Sequence, residues 1–194
     1  MSETKKPIIL VVDDVAKEDH VVNNISCLAG SMGYDAERIK SQVKVITDGK
    51  EALNFIGQAK SDNQPIAAAF VDDQMQAGNY GFKLAKAVKE SNPDSSVVWI
   101  STLSLHEAVA SALKENELFK ADDKLMFNDN IMFGGMVKHY LLKKDLSPVI
   151  NNKDNDIGQA LKPVFEQAFS RITNKTPSGN VDGVNSSKGK GRSK

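Results

Sequence analysis

Cysteine is all but missing. Cys27 stands alone, so the chain can build neither an internal disulfide nor a multi-cysteine metal site. Set among apolar residues of an expected helix, Cys27 reads as a packing residue. A dominant charge is missing too. Lys+Arg and Asp+Glu number 25 each, so nothing draws the whole chain toward nucleic acid or an anionic membrane. No apolar run reaches the ~18 residues of a membrane span, and Met1 to Lys6 lacks a signal peptide's apolar core. A cytoplasmic protein is the expectation. No internal repeat is visible. What remains is a chain of 194 residues, 40% hydrophobic and 26% charged. That suffices for one globular core with an extension.

The stretch Ile66 to Met75 is the most informative. Six mostly apolar residues run without alternation and stop on Asp72 and Asp73. Such a run suits a strand buried on both faces, as in a parallel sheet covered by helices. Ile8 to Val12 has the same form and ends on Asp13 and Asp14. Val43 to Thr47, Val97 to Ile100 and the weaker Lys124 to Phe127 complete five expected strands. The expected helices between them cover about 16–32, the stretch after Asp48-Gly49, 82–90, 105–116 and 131–144. Residues 34–42 form a polar insertion of open shape, and 77–81 a glycine-bearing loop. Five strands alternating with five helices predict a doubly wound parallel α/β sheet. Beyond it, Ser147 to Asn155 reads as a polar linker. Residues 157–172 carry Leu161, Val164, Phe165, Ala168 and Phe169 at helical spacing, which makes an amphipathic helix. From Thr173 the composition turns to Gly, Ser, Asn and Lys, and disorder is expected.

In an open α/β sheet the functional crevice lies beyond the carboxyl ends of the strands. Both acid pairs would face it if the first and third strands are neighbours. Two unit charges ~4 Å apart at an effective dielectric of ~20 repel by about 4 kcal/mol. Three carboxylates together must therefore hold protons or bind a cation. Oxygen ligands without His or Cys favour Mg²⁺. A carboxylate beside Mg²⁺ suits attack on phosphorus, and the hydroxyls of Ser101 and Thr102 end the fourth strand nearby. Acids also suit the start of a helix, where they favour the dipole.

The motifs Val11-Val12-Asp13-Asp14, Thr47 to Leu53, Val71-Asp72-Asp73-Gln74-Met75, Ile100-Ser101-Thr102 and Ala121-Asp122-Asp123-Lys124-Leu125 resemble, in order, the landmarks of two-component response-regulator receiver domains. The resemblance covers Lys6 to about Lys144. It implies a flavodoxin-like (βα)5 fold over 1–147; the linker and amphipathic helix then occupy 148–172 and a disordered basic tail 173–194. It implies Asp72 as phosphoacceptor, three residues before Met75 as in the family's pattern. Asp13, Asp14 and Asp72, with the backbone carbonyl of Gln74, would bind Mg²⁺. Ser101 would be the switch hydroxyl, with Thr102 as its rival. The family's lysine falls on Lys124 by spacing from Asp72, or on Phe127 by the motif itself. The proline usual after the methionine is Gln76 here.

The implied protein is a phosphoryl acceptor and not an enzyme acting on other molecules. Its donor would be a sensor histidine kinase or phosphotransfer protein, and its output a protein partner or a homodimer. Nucleic acid and membrane are not expected partners, since too little chain follows the domain for a multi-helix DNA-binding module. The alternative is a receiver-like binding module that no longer switches. A phosphatase of the haloacid-dehalogenase type is more distant, because Val15 stands where its second aspartate belongs. His20, His106 and His139 fall on expected helices without a partner pattern and read as solvated or partly packed.

Overall fold

The computed structural model describes residues 5–75, 78–101 and 135–175. The expected helix at 105–116, the strand at 124–127 and the tail beyond Lys175 lie outside them. Strand β1 (Ile8–Val12) leads to helices α1 (Glu18–Ser31) and α2 (Ala36–Lys40), then β2 (Val43–Ile46) and α3 (Gly49–Ser61). Strand β3 (Ile66–Asp72), the short β4 (Gln74–Met75) and β5 (Gly78–Asn79), α4 (Gly81–Ser91) and β6 (Ser96–Ile100) follow. The last described part is helical: α5 (Gly135–Lys143), α6 (Ser147–Ile150) and α7 (Asp156–Thr173).

Among the described residues, four strands form a parallel sheet in the order β2-β1-β3-β6. That is the flavodoxin-like winding, with its topological switch beside β1 and β3. Every residue of β3 is buried, as an apolar run without alternation requires. Alternation still sorts its side chains. Ile9, Val11, Ala68, Phe70, Val98 and Ile100 pack into a core under α1, α5 and α7. Leu10, Val12, Ala69, Val71, Val97 and Trp99 pack under α3 and α4.

One irregularity sets up the site. Ile8 pairs with Ile66, but Ile9 pairs with Ala68, so the register slips by one residue, and Val12 ends opposite Val71. Asp13 and Asp72 therefore leave the sheet side by side. Without the slip Asp13 would face Val71, and Asp72 would belong to the opposite layer.

Local chemistry explains three of the helix starts. Asp35, Asp48 and Asn155 each accept a backbone N–H of the following first turn, offsetting donors that a helix leaves unpaired. Asp35 thereby turns the open insertion into α2, whose Ile39 is buried together with Tyr34. The stretch 77–81, expected as a glycine-bearing loop, contains β5, which pairs antiparallel with β4, and the first residue of α4.

Two expectations change. Cys27 is exposed, because α1 turns Val21, Ile25, Leu28 and Ala29 inward and leaves position 27 on the opposite side. Ser147 to Asn155, expected as a polar linker, contains α6, whose Val149 and Ile150 are buried. Helix α7 is likewise a core element. Phe165 stacks on Phe70 at 5.0 Å, and Phe169 meets Tyr34 edge-on at 5.3 Å. Ser96 Oγ donates to Gln167 Oε1 at 2.6 Å, tying α7 to β6. The helix lies on the α1 side of the sheet.

Candidate functional site

Asp13, Asp14 and Asp72 meet at the carboxyl ends of β1 and β3. Each offers one oxygen, and these oxygens lie within 4.8 Å of one another. Asp13 is 1% and Asp72 4% exposed, so the charges gather where water cannot screen them. Asp13 Oδ1 accepts the Val15 N–H at 2.9 Å. Its buried Oδ2 has Lys138 Nζ as ion-pair partner at 3.1 Å and lacks a well-aligned hydrogen bond.

Lys138 reaches the cluster from α5. Its Nζ also donates to Asp72 Oδ2 at 2.6 Å. Val137, Leu141 and Leu142 of that helix are in the α1-side core, and Asn24 Nδ2 of α1 donates to the Leu141 carbonyl at 2.9 Å. Burial pushes the Asp72 carboxyl up to about 6, helped by the charges of Asp13 and Asp14 and opposed by Lys138. Burial alone would lower the Lys138 ammonium, but its hydrogen bond to Asp72, its close contact with Asp13 and the charges of both acids outweigh that, and its pKa is raised. The acids fit a hard divalent cation: they are oxygen donors, close together, costly to leave charged, and one buried oxygen is incompletely satisfied.

Alternation separates the two adjacent acids of β3. Asp73 continues the layer of Val71 and turns to the α4 side. There Trp99 Nε1 donates to its Oδ1 at 2.9 Å and Ser101 Oγ to its Oδ2 at 3.1 Å. Ser101 is the residue expected as switch hydroxyl. It follows Trp99 by two residues, so the same alternation carries it to Asp73. Thr102, Lys124 and Phe127 lie outside the described residues. Gln74 lies just beyond Asp72 in β4, opposite Asn79.

Lys138 was missed by sequence reasoning. It stands 66 residues from Asp72, in no motif, and its one local signal is its place beside the inward-facing Val137. The Asp73 partnership was missed too, though strand period alone points Trp99 and Asp73 to one layer.

No family model matches the chain, and neither does any curated protein. Solved structures that resemble it are mostly response-regulator receiver domains. One is a receiver protein from Sinorhizobium medicae, at 14% identity over 72% of this chain and 94% of that one, TM-score 0.40. Another is a receiver domain protein from Methanospirillum hungatei, at 16% identity over 71% and 94%, TM-score 0.40. An adenylate cyclase from Rhodopirellula baltica matches at 17% identity over 84% and 90%, TM-score 0.42.

Proposed function

We propose that this chain is a receiver that takes a phosphoryl group onto Asp72 and passes the signal on by protein contact. The observation that carries the reading is the meeting of Asp72 with Asp13 and Asp14 at the switch point of the sheet. An Asp72 oxygen attacks the donor phosphorus; the new P–O bond forms as the bond to the donor breaks, and the departing group keeps that electron pair. Mg²⁺, when held by Asp13, Asp14 and Asp72 with the Gln74 carbonyl, supplies the positive charge that lets the anionic carboxylate and phosphoryl group approach. Asp13 and Asp14 hold that charge in place, and the β1–β3 register keeps Asp72 within their reach. The donor is a histidine kinase or phosphotransfer protein, and the chain itself acts as acceptor and not as an enzyme on other molecules.

Incubation with Mg²⁺ and a small phosphodonor, followed by mass spectrometry, tests the reading. One acid-labile phosphoryl group on Asp72 is expected, with none in Asp72→Asn. Label on Asp73, or an undiminished yield in Asp72→Asn, would sink it. Asp14→Ala should weaken Mg²⁺ binding.

A second reading, a binding module that accepts phosphate without switching, is favoured by the hydrogen bond from Ser101 to Asp73. On that reading Ser101→Ala leaves phosphoryl uptake within about twofold but costs stability of about 1.5–3 kcal/mol, the range for a hydrogen bond to a charged group. A large loss of uptake with unchanged stability would instead make Ser101 a phosphoryl contact.

A further inference from the structure

We propose that the Lys138 ammonium is the resident cation of the acid cluster, and that a divalent ion enters by displacing it and freeing this turn of α5 from Asp72 and Asp13. The inference rests on the reading of these acids as a divalent-cation site. Lys138 Nζ lies 2.6 Å from Asp72 Oδ2 and 3.1 Å from Asp13 Oδ2. It thus spans two of the three carboxylates whose oxygens gather within 4.8 Å.

A hard divalent ion binds such oxygens at about 2.0–2.1 Å. An ammonium left between the same carboxylates would sit against it, like charge on like charge, in a place water barely screens. The two cannot share the position. The lysine has a way out, since 24% of its side chain is exposed and its stem is flexible. The rest of α5 has other anchors. Val137, Leu141 and Leu142 stay in the core, and Asn24 keeps its hydrogen bond to the Leu141 carbonyl at 2.9 Å. Displacement therefore loosens the Lys138 turn while the far end of the helix remains held, so occupancy of the acid site is transmitted to a different element of the fold.

The test titrates the full-length wild type and Lys138→Met with Mg²⁺ alone by calorimetry, and follows hydrogen exchange over 135–143 in the wild type. Removing a unit positive charge from beside the ion should tighten binding by about tenfold or more. In the wild type, saturating Mg²⁺ should speed exchange over 135–143. Equal or weaker binding by Lys138→Met overturns the proposal, and so does unchanged exchange in the wild type. A Lys138→Met protein that folds only with Mg²⁺ supports it, because the ion then does what the ammonium did. If neither protein binds Mg²⁺, the cation site falls and the proposal with it. If binding and exchange behave as expected while Asp72 takes no phosphoryl group, only the acceptor reading falls.

Discussion

A chain ending at Asn155 should fail to fold cooperatively. Loss of α7 strips Leu161, Val164, Phe165, Phe169 and Ile172, all buried, from the α1-side core. At ~1.5–3 kcal/mol for each large side chain, the loss is about 8–15 kcal/mol, as large as the whole stability of an ordinary domain. Phe165→Ala isolates one part of this. It removes the ring stacked on Phe70 at 5.0 Å and should cost about 3–5 kcal/mol. Urea unfolding of both proteins against the full chain is the measurement. A truncated chain with an unshifted, cooperative transition would mean that α7 is an appendage. The expected outcome also bears on function, because a helix built into the core is not available as a detachable arm that phosphorylation releases.

Gly158→Ala should destabilise the protein although alanine is the better helix former by ~1 kcal/mol. The added methyl would lie 1.9 Å from the Val149 carbonyl oxygen and 2.7 Å from its carbon. These are backbone atoms of α6, which has little freedom to yield with Val149 and Ile150 buried. The expected cost is about 2–3 kcal/mol, at the upper end for overpacking a well-filled interior. Gly57 in α3 provides the contrast, since a Cβ there meets nothing within 4 Å. Gly57→Ala should stabilise by about 0.5–1 kcal/mol. Equal and positive shifts of melting temperature in the two variants would show that α6 and α7 do not meet as described.

How far these features could be read from the sequence follows from their range. The strands announced themselves because apolar runs end abruptly on Asp13, Asp72 and Ser101. A run buried on both faces, however, has no polar alternation, so it does not say which acid belongs to which layer. The slip between Ile8 and Ile9 decides that, and a one-residue irregularity in a run of similar side chains leaves no trace in composition. The stripe on 157–172 showed that α7 must be buried and could not name the surface, since Phe70 lies about 95 residues earlier. Cys27 failed for a simpler reason: apolar neighbours in sequence are not neighbours on a helix, where each residue turns ~100°. Lys138 depends on α5 crossing α1, which no spacing encodes.

The partnership of Trp99 with Asp73 gives the protein its own optical gauge. Trp99 is the chain's one tryptophan and is fully buried, so indole emission, excited beyond the absorption of the tyrosines, has a single source. Its indole N–H points at the carboxylate of Asp73, the residue next to the proposed acceptor Asp72. Any event at Asp72 that shifts the β3 end by a few tenths of an ångström changes the field across that ring, and the emission wavelength follows it. Titrations and phosphodonor time courses can thus be followed in real time on the unlabelled protein, with Trp99→Phe as the dark control.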